Sequence, residues 1–148
     1  MNSTIKFAPI VFLVVTISSQ TLEAQIGNKC DTNVVLSTQN KAGKLTSKDV
    51  KAFLYTFGKE CSNNVEFSEF SNEVLFQIID KQTDLVLRTM ANEESRLEME
   101  AILSKLSSPI NDSINIKELI SKVDRIEMNG ELRKKVLERL KIAESHSH

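Results

Sequence analysis

Histidine is almost absent from this chain. Only two occur in 148 residues, His146 and His148, both at the extreme C-terminus. An imidazole acid/base or nucleophile-activating site inside the fold is therefore excluded. Cysteine is equally scarce, with Cys30 and Cys61 as the only pair and no C-x-x-C spacing. The 4 Gly and 2 Pro supply too few turn-formers for a many-stranded sandwich or barrel. There is no Gly-rich phosphate loop and no G-x-S-x-G elbow. Charge of one sign is lacking too. Nineteen Lys+Arg stand against 20 Asp+Glu, a formal net charge of -1. That balance removes the basic face a nucleic-acid binder needs. What is present is a globular composition, 41% hydrophobic and 26% charged. These proportions favour a compact, mostly helical domain.

One long apolar run exists, Phe7 to Ile17 (FAPIVFLVVTI), after the mildly basic start Met1 to Lys6. It has the length of a signal-peptide core and is too short for a stable bilayer span, which takes about 20 apolar residues. Ser18 to Ala24 is polar and small, so residues 1–24 read as a secretory signal cleaved after Ala24. Cleavage removes Lys6 and Glu23 together and leaves the charge balance unchanged. Nothing later is apolar enough to hold the chain in a membrane. In an oxidising compartment the even cysteine count suggests one disulfide, Cys30 with Cys61. Its loop of about 30 residues is worth roughly 3–4 kcal/mol on the chain-entropy estimate. Free thiols or a redox site are the competing reading.

The rest, residues 25–143, reads as a single helical domain, followed by a disordered tail over 144–148 (ESHSH). Val34, Val35 and Leu36 suggest a helical turn, and Gln39 to Lys44 a turn at Gly43. Thr46 or Ser47 caps a helix of about 12 residues whose stripe is Val50, Phe53, Leu54 and Phe57. Gly58 is placed to end it. From Val65 to Ser108 no Gly or Pro intervenes. Phe67, Phe70, Val74, Ile78 and Leu85 form one row, and Leu75, Ile79, Val86, Met90, Leu97 and Ala101 the next. A continuous helix here would be about 40 residues and about 60 Å long. Asn92-Glu93-Glu94-Ser95 is the expected place for a bend. Asn115 with Glu118 resembles a capping box before Leu119, Ile120, Val123 and Ile126. Asn129-Gly130 turns the chain into a last helix bearing Leu132, Val136, Leu137, Leu140 and Ile142. The predicted architecture is all-α, a small bundle of about five helices with one long central helix and one disulfide.

In this order of elements the chain resembles the SXP/RAL family of small secreted nematode antigens and allergens. Leu45-Thr46 opens a helix as the family's Leu-Thr pair does, and Val50, Leu54 and Phe57 follow at the family's positions, with Phe57 where a Trp is usual. Phe67 and Phe70 match its Tyr-x-x-Phe, and Ile102-Leu103 its late aliphatic pair. Ile114-Asn115 falls where the Leu-Thr pair recurs, and Ile120, Val123 and Leu132 to Leu140 follow the closing amphipathic pattern. The match covers about residues 34–142. The resemblance implies an all-helical fold, secretion and a domain described as cation-binding.

The residues themselves offer few cation ligands. Thr38 to Asp49 fits an EF-hand frame at Gly43, Leu45 and Asp49, but Thr38, Ala42, Lys41 and Lys44 leave too few carboxylates. Gly58 to Glu69 has Asn63 at the sixth place. The third polar cluster is the best candidate for a weak Ca²⁺ or Mg²⁺ site, through Asn111, Asp112, Asn115 and Glu118. The competing reading is a turn with helix caps. Asn111-Asp112-Ser113 is also an N-glycosylation sequon, relevant in a eukaryotic secretory pathway. Glu93, Glu94, Glu98 and Glu100 read as a solvated helical face interspersed with Arg96 and Lys105.

The expected function is that of a secreted, non-enzymatic helical protein that binds an extracellular partner, with weak divalent-cation binding of SXP/RAL type. Two alternatives remain open. One is a carrier of a small apolar ligand, its cavity lined by some of the seven Phe and many aliphatics. The other is a helical cytokine-like signal.

Overall fold

A computed structural model describes residues 28–128 and 130–146. The predicted signal over 1–24, Asn129 of the predicted turn, Ser147 and His148 lie outside the described residues. Among those described there are seven α-helices and no strand. They are α1 (Thr32–Asn40), α2 (Ser47–Tyr55), α3 (Val65–Lys81), α4 (Thr83–Asn92), α5 (Met99–Leu106), α6 (Ile116–Asp124) and α7 (Glu131–His146). Short 3-10 turns cover Lys59–Asn63 and Glu94–Arg96. Helix α3 runs through the bundle, touching α1, α4, α5 and α6, while α7 closes it against α5 and α6.

Local chemistry explains most helix starts. Asp31 caps α1 by accepting from the N–H groups of Asn33 and Val34. Asn64 caps α3 by accepting from Phe67, and Asn115 caps α6 by accepting from Glu118. Helix α2 opens with a full capping box. The Thr46 hydroxyl oxygen accepts the Asp49 N–H, and the Asp49 carboxylate accepts the Thr46 N–H at 2.9 Å and its hydroxyl at 2.6 Å. Lys41 adds an ammonium to the same carboxylate at 2.8 Å.

The Lys41 and Thr46 hydrogen bonds hold the Asp49 carboxyl at about 2, down from 3.8. A depressed acid contributes stability above its unfolded pKa and loses it as pH falls through the folded one. The side chain is 23% exposed, so solvent screens much of the effect. Asp49→Asn is expected to lose about 1 kcal/mol at neutral pH, the weight of a cap. In urea melts the gap to the native chain should close as pH falls from 3.8 through 2.

The central run is not one helix. It breaks after α4, within the predicted polar patch, and also at Gln82, where sequence offers no Gly or Pro. Gln82 has φ -140 and ψ 49. Its side-chain amide accepts the Leu45 N–H at 2.8 Å and donates to the Leu45 carbonyl at 3.2 Å. Leu45 is buried ahead of α2, and buried backbone groups require partners. Gln82 keeps its backbone bonds to Ile78 and Val86 but leaves helical geometry while its side chain serves Leu45. Division of this run raises the helix number above the expected five. At the other end, helix continues through Glu144, Ser145 and His146, where a disordered tail was expected from the polar sequence. Ala143 is fully buried, so packing carries α7 a turn further. The expected single turn near Val34 is likewise a helix of nine residues, α1.

The core contains Phe53, Phe57, Phe67 and Phe76 together with Leu and Ile from α2 to α7. Phe53 and Phe57 meet edge-on at 5.2 Å, and Phe57 meets Phe67 at 6.1 Å. Within this apolar interior lies one amide, Asn72, 2% exposed. It donates to the carbonyls of Lys105 and Ser108 at 3.0 and 3.2 Å and accepts from the Ile110 N–H at 3.3 Å. Asn72 thereby fastens α3 to the end of α5. Asn72→Leu conserves volume but strands the Ser108 carbonyl and the Ile110 N–H, while the Lys105 carbonyl keeps the Ser108 N–H. It should cost about 2–3 kcal/mol, read as a lower urea midpoint at unchanged slope.

Candidate functional site

The cysteines form a disulfide, Cys30–Cys61, with Cα atoms 5.6 Å apart. The segment before α1 also covers the end of α2. The Cys30 N–H donates to the Thr56 carbonyl at 2.8 Å, and the Lys29 ammonium donates to the Phe57 carbonyl at 2.6 Å. That ammonium also lies 4.4 Å from the centre of the Tyr55 ring. These donors satisfy carbonyls that a helix end leaves without partners. Cys30 adopts φ 59, a left-handed conformation uncommon for a non-glycine residue. Strap, disulfide and 3-10 turn together make one clasped corner.

A half-open cleft of about 520 Å³ lies beside this corner. Phe57, Cys61 and the Lys59–Asn63 turn form one wall, Phe67 and Ser68 of α3 the floor, and Ala101, Ser104 and Lys105 of α5 the other wall. Ala101 and Lys105 face the same way because they stand four apart on a helix. The Lys105 ammonium donates to the Ser68 hydroxyl. No carboxylate among the described residues pairs with it, whereas Lys41, Lys51 and Lys134 each have one and Lys122 has two. Burial pushes the Lys105 pKa down, because an ammonium loses hydration there. Glu100 lies on the rim, largely exposed, and pairs with Arg139 at 3.3 Å. Lys59 is exposed on the opposite rim.

The predicted cation residues are divided between two depressions. Asn111, Asn115 and Glu118 line an oxygen-rich groove of about 460 Å³ with Glu73, Gln77 and Asp80. Asp112 lines an adjoining depression, shared with the groove at Asn111 and Ile114, together with Ser107, Pro109 and Ala143. Within the groove the oxygens already have partners. Asn111 accepts from the Ser113 N–H at 2.9 Å, and Asn115 accepts from the Glu118 N–H at 3.1 Å. The Lys122 ammonium stands between two carboxylates, 2.6 Å from Asp80 and 3.0 Å from Glu118. Those acids, Asp80 first, raise the Lys122 pKa. An internal cation thus already pairs with two of the acids that line the groove. Among the described residues no three His, Cys, Asp or Glu side chains gather to hold a metal.

The chain matches no protein-family model, no curated protein and no solved structure.

The four glutamates near the α4–α5 break separate as well. Glu94, Glu98 and Glu100 are exposed, as a solvated face should be. Glu93 is not. Its carboxylate meets Lys51 at 2.9 Å and Arg96 at 3.5 Å, joining the end of α4 to α2. Lys51 is also the main cause of the lowered Glu93 pKa. Sequence reasoning passed over Lys105, which there is one base among helical acids. Only its spacing from Ala101 carried a trace of the cleft.

Proposed function

We propose that this chain is a secreted, non-enzymatic binding protein that carries a small ligand with an apolar portion in the cleft beside the disulfide. One observation carries the reading. The cleft joins buried aromatic and disulfide surface to a few convergent polar groups, at a volume within the roughly 300–1,000 Å³ of small-molecule sites. The leader-like segment over 1–24 and the disulfide support secretion, since disulfides persist in oxidising compartments. The lack of histidine before His146 supports a non-catalytic role.

The test is calorimetric titration of the oxidised protein with dodecanol, a neutral single-chain probe. Saturable binding is expected, and Ala101→Trp, which fills the cleft from its half-exposed wall, should abolish it. Equal binding by the native and Trp-filled proteins would refute the assignment of the site.

A further inference from the structure

The cleft has an electrostatic feature that apolar binding alone leaves unexplained. Lys105 places an ammonium, without a carboxylate partner among the described residues, at the polar end of an apolar wall. A half-buried cation is costly unless an anion joins it. The neighbouring hydroxyl of Ser68 accepts from Lys105, and its own rotatable proton is free to turn toward a ligand. Two donors, one N–H and one O–H, therefore converge where Phe67 and Ala101 begin the apolar surface. That pairing suits the two oxygens of one carboxylate, with a hydrocarbon chain against Ala101 in the cleft that Phe57, Phe67 and Cys61 line. The rim is of mixed charge, with the Glu60 carboxylate lying against Gly58. Arg139 neutralises Glu100, and Lys59 adds a further positive charge.

Resting on the carrier reading above, we infer that the ligand is an anionic single-chain amphiphile, a fatty-acid-like carboxylate, whose head group is held by Lys105 and Ser68. The backbone of Lys105 is prepared for this role. Asn72 holds its carbonyl from inside the core, so α5 presents the ammonium from a fixed helix end. Burial of the Lys105 ammonium lowers its pKa, and an entering carboxylate reverses that penalty.

Dodecanoate and dodecanol, equal in chain length and different in charge, provide the test on the full oxidised protein. The native chain should prefer dodecanoate by about 10-fold or more, the weight of a charge-assisted hydrogen bond. Lys105→Met should remove that preference by weakening dodecanoate alone, with dodecanol binding retained and the melting temperature no lower than native. Equal affinity for acid and alcohol in the native protein, or a preference that survives Lys105→Met, overturns the carboxylate inference and leaves the apolar cleft standing. Failure of both probes overturns the carrier reading and this inference together. Self-association that Ala101→Trp abolishes, with neither probe bound, assigns the cleft to a second copy and overturns both.

Discussion

Replacing Phe67 by alanine should cost about 3–5 kcal/mol, the range for emptying a buried aromatic site. The ring is 1% exposed and sits in the first turn of α3. It is the link from Phe53 of α2 and Phe57 just beyond it to the long helix, 6.1 Å from Phe57. It also floors the cleft, so its loss opens the core to solvent at that point. The helix start itself should survive, because Asn64 caps it through the Phe67 backbone N–H at 3.0 Å. The measurement is urea unfolding followed by circular dichroism. A loss under about 1 kcal/mol would mean that neighbouring side chains collapse into the space, and the aromatic link would not be a principal support.

Removing the disulfide is the second large effect. Cys30→Ala with Cys61→Ala should lower stability by about 3–4 kcal/mol, since the cross-link constrains a long loop of the unfolded chain. The closed loop spans 31 residues and encloses α1 and α2. A domain of this size should melt about 10 °C lower or more. Reducing agent should reproduce the shift in the native protein and leave the double variant unchanged. If the native protein melts alike with and without reductant, the clasp contributes nothing. The two predictions are coupled, because Cys61 and Phe67 share the cleft wall with Phe57. Combined, they should cost less than their sum.

Much of the architecture was legible in the residues. Low Gly and Pro with 3.6-residue stripes indicated helices, Thr46 is one of the two caps expected for α2, and Asn115 caps where its spacing to Glu118 placed it. The cysteine pair indicated one clasp. The break at Gln82 was not legible. Glutamine is a good helix former, and the partner its side chain takes at the break is a backbone 37 positions away. The continuation of α7 to His146 was hidden in the same way, by packing beneath a polar stretch. Of the candidate cation residues, Asn111, Asn115 and Glu118 do meet in space. Their partners were invisible in sequence. That Lys122 bridges Glu118 to Asp80 depends on α6 lying against α3.

Composition and periodicity by themselves determined that this chain is helical, lacks an internal imidazole and has no dominant charge of one sign. These are properties of residue type and of spacing within a helix turn, which local physics decides. Tertiary structure alone decided which polar groups are satisfied and which remain available. It turned Glu93 inward to Lys51, assigned Lys122 to two acids and left Lys105 beside a hydroxyl at the edge of an apolar cleft. The reason is that hydration and pairing of a charge depend on what distant segments bring within a few ångströms, and the one-dimensional order of residues does not contain that distance.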